Sequence, residues 1–476
     1  MARKSIQFKI HGATADVVGK THGLTPKEWS ALSREIAGIV GRLNRERDRT
    51  PYRDVPHRQG LSQLGAVLAS ARAKAGLFDD VVILGIGGSA LGLTALKTAL
   101  RTPYWNSLPR EKRQGLPRVW VMDNVDPDEF ATMLDLIDPK RTLVNVISKS
   151  GSTAETVSQF LLVMELLESC VGKRNLRRHV VVTTDARAGL LRPLVNEMGL
   201  ESFVVPDGVG GRFSVMTPVG TFPAAMIGID VRALLAGTRA MDKRCTAGRL
   251  DDNPAAAGAA VQIGLYRKGK TMSVMMPYAA ALRDVADWYR QLWAESLGKT
   301  TAGGEQVGPT PIKALGVTDQ HSQVQLYRDG PNDKVFTILS VDRFGCTLPL
   351  PQAPAGLGGA DYLEGRTMKD LLKAEERATI WALAAVSKRP TTQIVLPRAD
   401  AWNVGGLLYM LMVETSIAGA MLGINTYDQP GVEAGKEAAR ALMGVHGDIS
   451  SPTAKGLPAE AASYEGLRRL IDDADV

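Results

Sequence analysis

The sequence predicts an α/β protein with two doubly wound, parallel-sheet domains, an N-terminal helical segment and a C-terminal tail. From about residue 80 onward, short apolar, β-branched runs alternate with stretches of helical periodicity. These runs are apolar nearly throughout, as strands covered by helices on both faces should be. A helix-rich stretch at 218–268 separates the runs into two blocks. The length of 476 residues is sufficient for two or three domains.

Residues 1–75 are predicted to form the N-terminal helical segment. Thr25 and Glu28 make a capping-box pattern around Pro26. Apolar residues then recur at helical spacing, namely Trp29, Leu32, Ile36, Ile39 and Leu43. Residues 1–50 hold ten Lys and Arg against five Asp and Glu, within a chain of net charge +7. Because no aromatic-studded groove accompanies these basic residues, they are interpreted as a solvated face, and no nucleic-acid partner is predicted.

The first α/β domain is predicted at residues 76–228. Its five strands are expected at 81–86, 118–123, 142–148, 179–184 and 201–206. Right-handed crossovers between such strands give a doubly wound parallel sheet, whose ligands bind beyond the carboxyl ends of the strands. The loops that follow the strands are therefore the places to look for functional residues.

The second α/β domain is predicted at residues 229–444. Its strands are expected at 270–277, 334–341 and 391–397, with helices near 283–297, 366–386 and 402–423. The link at 342–364 is rich in Pro and Gly and is predicted to be irregular. Residues 445–476 have no strong periodicity and are interpreted as a tail.

Cysteine, histidine and hydropathy patterns exclude several classes of protein. The three cysteines, Cys170, Cys245 and Cys346, are widely spaced, which disfavours a disulfide framework or a cysteine metal site. The six histidines form no HxH or HExxH pair, so no metal site is predicted. Because no apolar run reaches about 18 residues and no signal peptide is recognisable, we expect a soluble, cytoplasmic protein without a membrane partner.

The first predicted strand leads into GIGGSALG, where Gly85, Gly87 and Ala90 match the dinucleotide-binding pattern GxGxxG/A. The pattern also requires an acidic residue about 20 positions further on. The nearest acid at a strand end, Asp123, lies 38 residues after Gly85. The glycines and the Ser89 hydroxyl therefore indicate anion binding at a helix N-terminus more generally, with a tight turn without ligand as the alternative.

The third predicted strand ends in SKSGST, immediately before a helix. The segment offers several donors for a phosphate: Ser148, Lys149, Ser150, Ser152 and Thr153. The alternative is a helix cap in a serine-rich turn. It is not a Walker loop, because neither GKT triplet of the chain has the preceding glycine of that motif.

Arg212 follows a glycine pair in GVGGRFS, where a guanidinium could stabilise an oxyanion or bind phosphate, or could simply be a surface arginine. Glu295 lies at the margin of an apolar helix stripe beside Trp288 and Leu292. Partial desolvation there would favour a general base, although such glutamates more often reach into water.

Three more candidates lie further along the chain. His321 stands in TDQHSQ, and Gln429 and Lys436 stand in TYDQPGVEAGK, two helical turns apart. Taken alone, His321 is as consistent with a structural role as with a catalytic one, and Lys436 with a solvated partner of Glu433.

Taken together, six ordered motifs resemble those of the glucose-6-phosphate isomerase family: GIGGSALG, SKSGST, GGRFSV, ESLGK, DQHSQ and TYDQPGVEAGK. The family is built of two sugar-isomerase (SIS) domains and interconverts glucose 6-phosphate and fructose 6-phosphate. The resemblance therefore implies a cofactor-free aldose–ketose isomerase whose partner is a small sugar phosphate.

The resemblance also implies a role for each candidate. Glu295 would move a proton between C2 and C1 through a cis-enediolate that Arg212 stabilises. His321, donated by the neighbouring subunit of a homodimer, and Lys436 would assist ring opening. The phosphate would be held by Ser148, Lys149, Ser150, Ser152 and Thr153, and the sugar would be lined by Gly88, Ser89 and Gln429.

Two other function classes stay open from the residues. A noncatalytic SIS sensor would keep the phosphate loop but has no use for Glu295 or His321. A nicotinamide oxidoreductase would explain GIGGSA but leaves SKSGST without a role. Ala90, Leu93 and Pro430 also depart from residues frequent in the family, which leaves acceptance of mannose 6-phosphate open.

Overall fold

We analysed a computed structural model of the chain, which describes residues 5–354 and 356–444. The chain divides into two compact units, Met1–Ile424 and Asn425–Val476. The larger unit holds both main sheets. The described part of the smaller unit holds one α-helix, Glu433–Leu442.

The strands of the described residues are β1 (Gln7–Lys9), β2 (Asp80–Leu84), β3 (Arg118–Met122), β4 (Thr142–Ile147), β5 (Val180–Thr184), β6 (Glu201–Val204), β7 (Met272–Pro277), β8 (Lys299–Thr300), β9 (Gln306–Val307), β10 (Thr310–Lys313), β11 (Lys334–Val341) and β12 (Thr391–Leu396).

The α-helices are α1 (Ala15–Val18), α2 (Pro26–Arg45), α3 (Gly60–Ala75), α4 (Leu91–Leu100), α5 (Pro127–Leu136), α6 (Ala154–Val171), α7 (Leu176–His179), α8 (Leu191–Met198), α9 (Pro218–Met226), α10 (Val231–Cys245), α11 (Pro254–Tyr266), α12 (Arg283–Leu297), α13 (Val324–Asp329), α14 (Met368–Ile380), α15 (Ala401–Met421) and α16 (Glu433–Leu442). A π-helical turn, Trp381–Val386, continues α14.

The first sheet has the order β3-β2-β4-β5-β6, with all neighbours parallel. The chain starts in β2, adds β3 on one side and then continues from β4 on the other. The direction of winding therefore reverses between β2 and β4, which is where doubly wound sheets bind ligands. All five predicted strands of this block are present, and the prediction of a doubly wound sheet is confirmed.

The second sheet has the order β1-β12-β11-β7-β10 and is parallel except for β1, which pairs antiparallel with β12. It repeats the winding pattern of the first sheet, since β10 and β11 lie on opposite sides of β7. The sequence analysis did not predict β1 or β10. Both are edge strands of three or four residues with exposed or half-buried side chains, so neither has a continuous apolar signal.

The predicted N-terminal cap is confirmed. The Thr25 hydroxyl oxygen accepts from the Glu28 backbone N–H at 3.2 Å, and the Glu28 carboxylate accepts from the Thr25 N–H at 2.7 Å. The resulting helix α2 buries Leu32, Ile36 and Val40. The domain boundaries given above remain predictions, and the predicted tail at 445–476 lies outside the described residues.

Helix α15 is buried over most of its length. By length and composition it could cross a membrane, but 94% of its most apolar window is buried inside the fold. A helix that is apolar on all sides is also what the centre of a large globular core requires.

Candidate active site

The loops beyond β2 and β4 meet at the winding reversal of the first sheet. We call residues 85–90 the glycine loop, 148–153 the serine loop and 209–214 the arginine loop. The glycine loop packs directly on the arginine loop: a Cβ on Gly88 would come within 2.2 Å of the Gly211 carbonyl carbon and 2.6 Å of the Arg212 nitrogen. Only glycine allows this backbone approach.

The serine loop is organised by its own hydroxyl groups. The Ser148 hydroxyl oxygen accepts from the Gly151 N–H at 3.1 Å and lies 3.0 Å from the Thr153 hydroxyl. The Ser150 oxygen accepts from the Ser152 N–H at 3.3 Å and from its hydroxyl at 3.2 Å. Gly151 has φ +65°, which turns the chain so that α6 begins directly after the loop. The arrangement gathers hydroxyls at the positive end of an 18-residue helix, as an anion site requires.

Lys149 belongs to the serine loop but holds the arginine loop. Its ammonium donates to the Val209 carbonyl at 2.9 Å. The sequence analysis expected this charge to face a phosphate. In the structure the lysine connects two of the three loops of the site, and its role toward a phosphate stays a prediction.

Arg212 and Glu295 form the charged centre of the site. Arg212 is only 2% exposed, and its Nη1 donates to Glu295 Oε1 at 2.9 Å while its Nε donates to Ser296 Oγ at 2.7 Å. Glu295 comes from α12, which follows β7 of the second sheet, and its side chain is 25% exposed. The pair therefore joins the arginine loop of the first sheet to a helix of the second.

Three residues of this centre were not predicted: Gln291, Ser296 and Lys299. Gln291 lies one helical turn before Glu295, and its amide donates to Glu295 Oε2 at 3.1 Å. The same amide nitrogen would be 2.9 Å from a Cβ on Gly87, so the glycine loop closes over it. Lys299 donates to the Glu295 carbonyl at 2.9 Å and supports the end of α12. The contact between Gln291 and Glu295 could have been predicted from the sequence, because residues at i and i+4 of a helix lie side by side.

His321 makes no hydrogen bond or ion pair with this centre among the described residues. It ends the 3-10 turn Thr318–His321. The turn is held by a hydrogen bond that the Gln320 side-chain amide donates to the Tyr278 hydroxyl at 2.6 Å. The imidazole is exposed and has no hydrogen bond or ion pair among the residues that the structure describes. The turn is therefore fixed while the ring faces outward.

Gln429 and Lys436 lie in the smaller unit. Lys436 is on α16 and pairs with Glu433 at 2.9 Å, with both side chains about half exposed. Gln429 precedes the 3-10 turn Pro430–Val432. The roles expected for these two residues stay predictions.

The family model described as phosphoglucose isomerase matches residues 69–451, which is well over half of the chain. The chain belongs to the phosphoglucose isomerase family. A glucose-6-phosphate isomerase of Carboxydothermus hydrogenoformans is 47% identical over 388 residues, covering 81% of this chain and 83% of the relative. A glucose-6-phosphate isomerase of Rubrobacter xylanophilus is 42% identical, covering 89% of this chain and 95% of the relative.

Solved structures agree with membership of the phosphoglucose isomerase family. A hypothetical protein from Thermus thermophilus superimposes with a TM-score of 0.83 at 34% identity, covering 92% of this chain and 99% of that one. A glucose-6-phosphate isomerase from Chlamydia trachomatis has a TM-score of 0.69 at 25% identity, covering 87% and 76%. The two doubly wound sheets are thus the two SIS domains that the sequence motifs implied.

Proposed function

We propose that this chain interconverts glucose 6-phosphate and fructose 6-phosphate, with Glu295 as the base that moves the proton. The observation that carries the proposal is the contact between Arg212 and Glu295 at 2.9 Å, beside a hydroxyl-rich loop at the start of α6. An isomerase of a phosphorylated sugar needs a base, a group that stabilises negative charge and an anchor for the phosphate. A sensor without catalysis would leave the pair of buried Arg212 and partly exposed Glu295 without a role.

The serine loop is the proposed phosphate anchor. Ser148, Ser150, Ser152 and Thr153 now bond within the loop, so their hydroxyls are already gathered and need only rotate toward an anion. The backbone N–H groups of the first turn of α6 add donors, and the helix dipole favours negative charge there. Lys149 contributes by holding the arginine loop in place.

Proton transfer is the proposed role of Glu295. The carboxylate takes the C2 proton as the C1 carbonyl becomes an enediolate oxygen, and it returns the proton to C1 as C2 becomes the carbonyl. The hydroxyl proton of O2 is transferred to O1, so the sugar is neither oxidised nor reduced overall. Arg212 is nearly fully buried, and a guanidinium in such a site stabilises the enediolate charge more strongly than one in water would.

Gly88 tests whether loop packing sets this geometry. Gly88→Ala places a Cβ against the Arg212 backbone and should push the arginine loop away from Glu295. We expect kcat/KM to fall by about 100-fold or more, because small displacements of catalytic groups are that costly. Gly65→Ala on α3 is the matched control, since a Cβ there meets nothing within 4 Å. Equal activities of the two variants in a coupled isomerase assay would contradict the assignment.

We propose a homodimer in which His321 acts in the partner's site. The exposed, unbonded imidazole supports this, because one chain gives it no partner among the described residues. Large apolar side chains are also exposed on α13 and on the link at 342–364, namely Leu326, Leu348, Leu357 and Tyr362. Exposed apolar surface is a common feature of protein interfaces, so these two segments are the candidate contacts of the dimer.

The dimer proposal predicts complementation between two inactive chains. Co-expressed Glu295→Gln and His321→Ala chains should regain up to about a quarter of wild-type activity, because a mixed dimer has one site with both residues intact. The control mixture pairs Glu295→Gln with Arg212→Ala, two residues of the same chain's centre, whose mixture should regain nothing if the Arg212 and Glu295 contact forms within one chain. A first mixture no more active than its parents, after demonstrated subunit exchange, would argue for sites completed by one chain.

The cytoplasm is the proposed location. Cys170, Cys245 and Cys346 are all unpaired, which suits a reducing compartment.

The function itself is tested by an assay in both directions with glucose 6-phosphate and fructose 6-phosphate. Binding of either sugar phosphate without turnover by the folded protein would favour a sensor instead, and conversion of mannose 6-phosphate in the same assay would define epimer selectivity.

A further inference from the structure

A groove of about 690 Å³ lies on the second sheet, apart from the candidate active site. Its walls are α14 with its π-helical continuation on one side and β1 with the following turn on the other, and β12 forms much of its floor. None of the residues assigned above to the isomerase site lines it. Its volume is in the range that encloses a cofactor-sized ligand.

The groove is lined by an excess of cationic side chains. Lys369, Lys373 and Arg377 follow one another at i, i+4 and i+8 on α14, and Lys9 faces them from β1. Like charges at i, i+4 spacing destabilise a helix unless another charge compensates them. Among the described residues, Lys9, Lys369 and Arg377 have no ion pair. This stripe therefore attracts an anionic ligand.

One polar cluster at the groove is already built. Lys373 donates to the Ser340 hydroxyl and to Glu376 Oε2, both at 2.7 Å, and Ser340 donates to Glu376 Oε1 at 2.6 Å. Ser340 and Glu376 are 2% and 3% exposed. Glu376 neutralises Lys373, and with Asp342 also in the lining the four cations of the groove exceed its two carboxylates by two.

The groove also has an apolar part. Ile380, Ala384 and Val395 line it, and Trp381 stands at its rim with 64% of its surface exposed. A tryptophan that is mostly exposed beside cationic side chains offers a face on which a planar ring can stack. Asp342, which follows the carboxyl end of β11, also lines the groove.

We propose that this groove binds a nucleoside phosphate. The phosphates lie along Lys9, Lys369 and Arg377, and the base stacks on Trp381, with the ribose between them. Neither the stripe alone nor the tryptophan alone selects this class of ligand, but together they match its anionic end and its planar end. The site is independent of the proposed isomerase function.

Calorimetry with ADP, pyrophosphate and adenosine tests the proposal on the full-length protein, with and without excess fructose 6-phosphate. One ADP should bind per chain in both conditions. The double variant Lys369→Gln with Arg377→Gln should lower the affinity for ADP by about tenfold or more. The control is Lys173→Gln with Arg174→Gln, which removes the same charge from an exposed turn after α6. Trp381→Leu should lower the affinity for ADP but leave the affinity for pyrophosphate unchanged. Unchanged isomerase activity would show that all variants fold.

Several results would overturn the proposal. Absence of ADP binding would do so. An equal loss of ADP affinity in the Lys369/Arg377 and the Lys173/Arg174 double variants would also do so, because it would show that ADP responds only to the net charge of the protein. If pyrophosphate binds as tightly as ADP and Trp381→Leu has no effect on ADP affinity, the groove binds phosphate groups and does not recognise the nucleoside. Displacement of ADP by fructose 6-phosphate would place the nucleotide in the isomerase site.

Discussion

Replacing Glu295 with glutamine should lower kcat for the isomerisation by about 10² to 10⁴. The amide keeps the size of the carboxylate and can still accept from Arg212 Nη1, but it cannot take the C2 proton. KM should change little, because the serine loop, which is the proposed phosphate anchor, is organised by its own hydroxyls and not by Glu295. A steady-state assay in both directions measures the two constants separately.

The control for this substitution is Glu168→Gln. Glu168 is exposed near the end of α6 and has no ion pair among the described residues, so its replacement should leave kcat unchanged. A kcat of Glu295→Gln within a few-fold of the wild type would remove Glu295 from the mechanism.

Replacing Glu414 with glutamine should stabilise the protein at alkaline pH. Glu414 is buried in the middle of α15, and its Oε2 has no hydrogen-bond partner among the described residues. Its carboxyl group packs against Gly258 of α11, where a Cβ would come within 2.6 Å of the Glu414 Cδ. Burial without a compensating charge raises the pKa of Glu414 to about 8 from its ordinary value of 4.5.

The sign of the pH dependence follows from proton binding. Between pH 4.5 and about 8 the folded chain keeps the Glu414 proton and the unfolded chain releases it. The free energy of unfolding therefore falls by about 1.4 kcal/mol for each pH unit over this window, and by roughly 5 kcal/mol in total at its upper end. Below the window the wild type and Glu414→Gln should be equally stable.

Thermal unfolding of both proteins at a series of pH values from 5 to 9 measures this difference. The melting temperature of Glu414→Gln should rise increasingly above that of the wild type as the pH increases. Glu168→Gln should follow the wild type throughout. Parallel curves for Glu414→Gln and the wild type would mean that the carboxyl group finds a partner or reaches water.

The strands of the first sheet could be predicted because burial on both faces leaves a nearly continuous apolar run, as in β2 and β4. The edge strands β1 and β10 could not be predicted in this way. Each has only three or four residues, and their side chains are exposed or half-buried, so neither strand leaves an apolar run in the sequence. Their pairing partners are also far away in sequence, so no local signal indicates them.

The candidate site was predictable as a set of residues but not as a set of contacts. Glycine and serine loops after buried strands mark an anion site by local rules alone. The bond from Arg212 to Glu295 spans 83 residues and depends on how α12 packs beside the arginine loop. The second role of Lys149, holding Val209, and the support that Gln291 gives Glu295 likewise arise only from the tertiary fold.

Exchange of the substrate's C2 hydrogen with deuterated water tests the central claim most directly, because it reports proton abstraction itself. Wild-type protein incubated with glucose 6-phosphate should incorporate deuterium at C2, detected by nuclear magnetic resonance. Glu295→Gln should incorporate it slower by about the same 10² to 10⁴ as its loss in kcat, while still binding the sugar phosphate. Exchange by Glu295→Gln at the wild-type rate would contradict the assignment of Glu295 as the base.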